Sequence, residues 1–439
     1  MRADLLIKNG TVVSARGIEQ ADIAIENEKI VAIGSLSSWS ASEEIDASGL
    51  HVFPGVIDSQ VHFREPGLEH KEDLATGTAA AAMGGVTAIF EMPNTKPLTL
   101  TAQDMADKVR RGREKAWTDF AFFIGAAAEN VPNLPSLERQ EGVAGVKLFM
   151  GSSTGSLLVD RDEDIRKVLE NGVRRVAIHA EDEPRLLARQ HLAVDTPVNH
   201  PVWRDVECAR LATERVLRIA RETGRRIHVL HITTKEEMAL LAKYKDVATV
   251  EVTPQHLTLQ APDCYEELGS YAQMNPPIRE EAHRSGLWEA LQQGVVDVIG
   301  SDHAPHTKEE KAKPYPQSPS GMPGVQTLFP LMLDHCNNGK LSLQHLMDLT
   351  SAGPARVYGI AGKGRLSLGF DGDITLVDLK RKQKIEESWL ASKCGWSPFT
   401  GKTVTGWPVG TIIRGRQVMR DGQLLGSSAG QPVRFQETL

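Results

Sequence analysis

Cysteine is scarce and scattered. Cys208, Cys264, Cys336 and Cys394 are the only four in 439 residues, with no C-x-x-C pair and no disulfide-rich spacing. They read as reduced thiols, which fits a cytoplasmic protein and excludes a small disulfide-stapled scaffold. Long hydrophobic runs are missing too. The N-terminal stretch Met1-Arg2-Ala3-Asp4-Leu5-Leu6-Ile7-Lys8 breaks its apolar run after a few residues, so neither a signal-peptide core nor a membrane span is expected there. A basic excess is absent: 50 Lys and Arg face 57 Asp and Glu, a net charge of −7. Such a surface repels polyanions, which argues against nucleic acid or an anionic membrane as partner and leaves room for a local basic pocket. No G-x-G-x-x-G or G-x-x-x-x-G-K-[ST] follows an early strand, and no repeat of 20 to 50 residues is apparent.

What is present is a chain able to fold around a large core. Hydrophobic residues make up 41% and charged residues 24%, which suits a globular protein and not a disordered one. Its length accommodates an α/β barrel of about 250 residues with a smaller accessory unit. Residues 1–52 alternate short β-like runs with turns, as in Leu5-Leu6-Ile7, the Asn9-Gly10 dipeptide, Thr11-Val12-Val13, Ala21-Asp22-Ile23-Ala24-Ile25 and Lys29-Ile30-Val31-Ala32-Ile33. A small antiparallel sheet is expected. The same texture returns in Gly372-Asp373-Ile374-Thr375-Leu376-Val377 and Gly410-Thr411-Ile412-Ile413. Residues 1–52 and 363–439 are therefore assigned to one β-sandwich domain, interrupted by residues 53–362.

The middle alternates β-branched or aromatic runs with amphipathic or alanine-rich stretches, the texture of repeated βα units. Eight strands are expected: Gly55–Asp58, Val86–Phe90, Asp119–Ile124, Gly145–Phe149, Arg175–His179, Ile227–His231, Ala248–Val252 and Val296–Gly300. Helices over 72–83, 102–116, 205–222 and 281–292 fall between them. The fold class predicted is α/β, a TIM-type (β/α)8 barrel. An open doubly wound sheet is the rival, and it lacks a nucleotide-binding signature.

Barrel active sites gather at the C-terminal ends of the strands, so polar residues ending apolar strands are the first suspects. Asp58-Ser59-Gln60-Val61-His62 ends the first strand, Lys147 sits in the fourth, His179 and His231 end the fifth and sixth, and Ser301-Asp302-His303-Ala304-Pro305-His306 follows the eighth. Imidazoles and carboxylates arriving from separate strands suggest a metal centre suited to Zn²⁺ or a similar ion. A single histidine at a strand end is as readily structural, and His228, three residues before His231, points to the opposite face by strand alternation. Lys147 interrupts an apolar run. Burial of its ammonium calls either for a salt bridge or for reaction of the neutral amine with carbon dioxide to a metal-bridging carbamate.

The blocks Pro54-Gly55-Val56-Ile57-Asp58-Ser59-Gln60-Val61-His62-Phe63-Arg64-Glu65-Pro66-Gly67, Glu91-Met92-Pro93-Asn94-Thr95, Gly145-Val146-Lys147-Leu148-Phe149, Met274-Asn275-Pro276-Pro277-Ile278-Arg279 and Ser301–His306 resemble the dihydroorotases of the amidohydrolase superfamily, over nearly the whole chain. The resemblance implies reversible closure of N-carbamoyl-L-aspartate to L-dihydroorotate in pyrimidine biosynthesis. It also implies metal ligation by His62, Lys147 as a carbamate, His179, His231 and Asp302, with Asp302 moving the proton. Substrate would be held by Arg64, Asn94, Asn275 and His306. The Arg64, Asn94 and His306 set favours an anionic ring over the neutral rings of allantoinases and hydantoinases. A homo-oligomer is expected, with aspartate transcarbamoylase as a further partner.

Two positions depart from the family pattern. Gln60 stands where the first histidine of His-x-His is expected, and a carboxamide is a poorer ligand than imidazole. One firm zinc at Lys147, His179 and His231 is therefore expected, with a second site at His62 and Asp302 weak or absent. Gln255 replaces an expected histidine with no evident consequence. Two other readings stay open: a non-catalytic subunit supporting aspartate transcarbamoylase, and a cyclic amidase for another small ring. The charged, proline-rich run 307–323 reads equally as a mobile connector or as a loop over the site.

Overall fold

The computed structural model describes residues 1–153 and 157–438. Two sheets organise it. The first takes strands from both chain ends: β1 (Arg2–Ser14), β2 (Gly17–Glu26), β3 (Lys29–Gly34), β4 (Ser40–Asp46) and β5 (His51–Pro54). The second is the barrel: β6 (Val56–Val61), β7 (Val86–Glu91), β8 (Asp119–Gly125), β9 (Val143–Phe149), β10 (Val176–His179), β11 (Ile227–Val229), β12 (Ala248–Val252) and β13 (Val298–Ile299). The first sheet is then completed by β14 (Ile374–Lys384), β15 (Thr403–Ile413), β16 (Arg416–Arg420) and β17 (Gln423–Leu424).

The terminal sheet runs β17-β16-β15-β14-β5-β1-β2-β3, with β4 beside β1. Contrary to a wholly antiparallel expectation, β1 pairs in parallel with both β4 and β5. The polar segment Ser-Ala-Ser-Glu-Glu-Ile-Asp of β4 carries no apolar alternation to announce it. β5 bridges to β14 and so stitches the two chain ends together. Gly430–Phe435 leaves this sheet and hydrogen-bonds to the start of β8 through Phe120.

The barrel strands follow chain order from β6 to β13, every neighbouring pair parallel. Closure comes just beyond the strands, where Val61 bridges His303 and the His62 amide donates to the His303 carbonyl at 2.7 Å. That seam brings His62 beside Asp302. Buried Val, Ile, Leu and Phe from strands and surrounding helices form the main core, each contributing about 1.5–3 kcal/mol on burial. Phe90, Phe123, Tyr358 and Phe435 pack edge to face in a second buried cluster.

Two strands are shorter than expected. β11 stops at Val229 because His231 adopts φ +37°, which breaks extended geometry. β13 is reduced to Val298–Ile299. Beyond it the Ser301 amide turns to the Asp58 carboxylate at 3.0 Å. Among the described residues no helix is long and apolar enough to cross a membrane.

Candidate active site

The strand ends open on a cavity of about 370 Å³. Its wall includes His62, Arg64, Asn94, Lys147, His179, His231, Asn275 and Asp302, so every site residue expected from sequence lies on it except His306. Arg64, His231 and Asp302 are non-glycine residues at positive φ, 66°, 37° and 44°. Such conformations carry a local cost that the surrounding structure must offset, and they turn these side chains off the strand direction.

His179 and His62 are held in defined tautomers by what they touch. His179 Nε2 lies 2.9 Å from the Glu181 carboxylate, which accepts a hydrogen bond from its N–H and leaves Nδ1 bare. That Nδ1 faces His231 Nε2 at 3.1 Å. His62 Nδ1 lies 2.8 Å from Asn94 Oδ1 and must donate to it, which leaves Nε2 facing Asp302 Oδ1 at 3.3 Å. Two ligand atoms about 2.0–2.1 Å from a tetrahedral ion stand about 3.3 Å apart. Both pairs match that edge. Burial holds all three imidazoles below their usual pKa, against the pull of Asp302 on His62 and of Glu181 on His179, so their lone pairs are available to a cation. Among the described residues His231 Nδ1 is buried without a partner.

Lys147 is 1% exposed, its Nζ 4.5 Å over the Phe149 ring. Among the described residues no group accepts a hydrogen bond from it. Burial drives its pKa down to about 7, despite the attraction of Asp302 and Glu251. Among the described residues the salt-bridge solution is thus not realised, and burial favours the neutral amine beside His179 and His231.

Gln60 donates through Nε2 to Asp302 Oδ1 at 3.1 Å, and among the described residues its Oε1 is buried without a partner. The carboxylate fixes which way the amide points, since only the NH₂ group can face it. An NH₂ group has no lone pair for a metal, so Gln60 as it stands supplies no ligand to the Asp302 side.

Arg64 is 2% exposed and donates through Nε to the Pro305 carbonyl. Burial lowers its pKa to about 10, so it stays charged. Its loop is anchored by Glu65, whose carboxylate accepts from Arg111, Lys115 and the Leu74 amide. The expected place of His306 needs correction. It is fully buried behind Arg64, with Nε2 3.3 Å from Arg64 Nη2 and 3.0 Å from the Ser320 carbonyl, so it reaches the cavity through Arg64. Asn275 is set by His200, 2.9 Å from its Oδ1, and its cis-proline turn by His256, which reaches the Pro276 carbonyl. Gln255 donates to the Ser301 carbonyl at 2.7 Å and so braces the approach to Asp302. His228 contacts Thr249 and Glu251 inside the barrel, off the cavity wall.

Sequence reasoning missed several residues. Glu181 follows His179 in an acidic run that reads as an ordinary helix start. Ser153, Ser320 and Gly321 line the cavity. The last two belong to 307–323, which is packed over the site: buried Lys311 donates to the Pro319 and Gly321 carbonyls, and a Cβ at Gly321 would meet the Ala304 oxygen at 2.4 Å. This packing favours the reading of 307–323 as a loop over the site. Glu251, which interacts electrostatically with Lys147, has its own pKa raised to about 8 by burial and by Asp302.

A second acidic cluster resembles a metal site. Asp119, Asp371 and Asp373 converge within 4.8 Å of one another. Lys363 Nζ already sits among them, at 2.6, 3.0 and 2.6 Å, and supplies the cation itself.

Comparison with known proteins places these features in context. A profile described as Amidohydrolase family matches residues 51–418. A dihydroorotase of Halobacterium salinarum is 37% identical over 94% of this chain and 96% of its own. A dihydroorotase of Bacillus subtilis is 34% identical over 96% and 99%. The solved L-hydantoinase (dihydropyrimidinase) of Arthrobacter aurescens superposes with a TM-score of 0.94 at 31% identity, covering 98% of this chain and 99% of that one.

Proposed function

The chain belongs to the amidohydrolase family, and from that membership we propose that it is a metal-dependent dihydroorotase, hydrolysing the cyclic amide of L-dihydroorotate to N-carbamoyl-L-aspartate and closing it again. The observation that carries the choice of substrate is the buried, charged Arg64 at the wall of the same cavity as the paired histidines. Among the described residues its Nη1 has no hydrogen-bond partner, so the guanidinium keeps donors for a carboxylate. Asn94 and Asn275 add amide groups on the wall, and the Pro305 carbonyl holds Arg64 at Nε.

In this proposal Lys147 as a carbamate, His179 and His231 hold one zinc ion firmly. His62 and Asp302 offer a second position that lacks a ligand while Gln60 turns its NH₂ group to Asp302. A bound ion supplies Lewis-acid polarisation of the ring carbonyl and acidification of water. The residues of the chain do the rest. Arg64 fixes the carboxylate end of the ring, and Asp302, held at Oδ1 by Gln60, accepts a proton from water and returns it to the departing amide nitrogen. The packed 307–323 segment limits entry of bulk water. Self-association, and assembly with aspartate transcarbamoylase, belong to the same proposal and are read by light scattering with and without that partner.

The close superposition on an L-hydantoinase favours a second reading, a cyclic amidase for neutral rings. Zinc-loaded protein assayed against L-dihydroorotate, hydantoins and allantoin separates the two. The dihydroorotase reading expects preference for the anionic ring and its loss in Arg64→Met. Preference for hydantoin, or no turnover of any ring, overturns it.

A further inference from the structure

One carboxylate that no motif singled out stands directly behind His179, a residue of the cavity wall. Glu181 is fully buried, and its Oε2 accepts from His179 Nε2 at 2.9 Å and from Arg204 Nη1 at 2.6 Å. The same Arg204 donates through Nη2 to the Ser152 carbonyl at 2.6 Å, next to Ser153 on the cavity wall. Arg204 is itself held by Arg279, which donates to its carbonyl at 2.9 Å.

A neutral imidazole has one N–H, and whichever nitrogen carries it cannot bind a metal. With Nε2 facing a carboxylate that can only accept, the proton is placed there, and Nδ1 is left toward His231. We propose that Glu181 is a positioning residue: it fixes the tautomer and direction of His179, and through Arg204 it ties that ligand to the Ser152–Ser153 segment of the substrate wall. The inference rests on the metal-dependent reading above.

The supporting chemistry is consistent at each contact. Arg204 donates to the same oxygen that faces His179, so its guanidinium favours the anionic acceptor that the imidazole N–H requires. A charged acceptor makes the imidazole ring a stronger donor at Nε2 and a more basic ligand at Nδ1. Without Glu181, His179 is free to place its proton on Nδ1 and to turn its lone pair away from the cavity. Arg204 would then lie buried with its charge uncompensated, which is why a shape-conserving replacement is the informative one.

The test compares parent protein, Glu181→Gln and Glu181→Met by zinc affinity in a chelator competition and by ring-nitrogen NMR of metal-free protein, with thermal melting as the control for folding. Neither main readout depends on turnover, so failure of the inference is separable from failure of the substrate assignment. Gln keeps the shape and a weaker acceptor, while Met removes the acceptor. The expected order of zinc affinity is parent, Gln, Met, with losses on the order of 10-fold and 100-fold. The His179 signal should move from a single Nε2–H tautomer toward a mixture. If Met fails to fold, the Gln variant alone decides. Zinc affinity within about twofold of the parent in a folded variant, or an unchanged His179 tautomer, overturns the proposal.

Discussion

The two ends of this barrel carry polar clusters of similar size and opposite design. Below, at the seam with the terminal sheet, Lys363 spends its three protons on Asp119, Asp371 and Asp373. Arg414 completes Asp119, and Lys29 completes Asp371. Above, His179 and His231 face each other across 3.1 Å, and among the described residues His231 Nδ1 and Gln60 Oε1 have no partner and Lys147 has no hydrogen-bond acceptor. A buried charge set that closes on itself holds two layers together. A set that does not close is waiting for a cation, and its cost to the metal-free fold is tolerated because binding recovers it.

That contrast predicts opposite outcomes for two lysine replacements. Lys147→Met should lower kcat/KM on the order of 10³-fold, since a metal site is worth several kcal/mol at the transition state. It should leave the melting point of metal-free protein unchanged or higher, because it removes an unpaired buried amine. Lys363→Met should do the reverse. Three carboxylates lose their shared counter-charge at a cost of about 3–5 kcal/mol in denaturant unfolding, while kcat/KM of the folded fraction stays within about threefold. Loss of stability in the first or of chemistry in the second would break the comparison.

Arg64→Lys sharpens it at the substrate wall. A point charge cannot reproduce the guanidinium fork, so kcat/KM for dihydroorotate should fall about 10- to 100-fold, carried by KM. A matching loss for a neutral ring would contradict the assignment of Arg64 to the carboxylate.

The pH dependence of Lys147 follows from burial, which favours the neutral amine. Its pKa of about 7 means that carbamate formation with bicarbonate should proceed at pH 8 and fall about tenfold per unit below pH 7, followed by ¹³C NMR. In metal-free, carbamate-free protein the unfolded chain holds this proton between pH 7 and about 10.5 while the folded chain does not. Stability from this group therefore rises with pH across that window. A midpoint near 10.5 for carbamate formation would contradict the buried placement.

Gln60→His carries the smallest effect. It restores an imidazole lone pair beside Asp302 and should raise tightly held zinc from about one to about two per chain. Two firm zinc ions in the parent protein would remove the role given to Gln60.

Much of this was legible in the sequence because it rests on local pattern. Runs such as Val86-Thr87-Ala88-Ile89-Phe90 mark barrel strands, and His62, Lys147, His179 and Asp302 stand out as polar residues at the ends of such runs or within them. What stayed hidden depends on contacts between distant segments. β4 is polar on its exposed side and gains its place only from pairing with β1. Glu181 belongs to Glu181-Asp182-Glu183, which looks like the acidic start of a helix, and Asp182 does cap one. Only folding shows that the first of the three turns inward to His179 and Arg204. The position of His306 behind Arg64 was illegible for the same reason, since spacing cannot say which of two polar residues stands in front.

The direct test is to strip the protein of metal, reload it with zinc and bicarbonate, and follow L-dihydroorotate turnover and the melting point together. The account predicts folded protein without activity after stripping, and recovery of turnover with a higher melting point on reloading. Stripped protein that still turns over dihydroorotate at the loaded rate would contradict it.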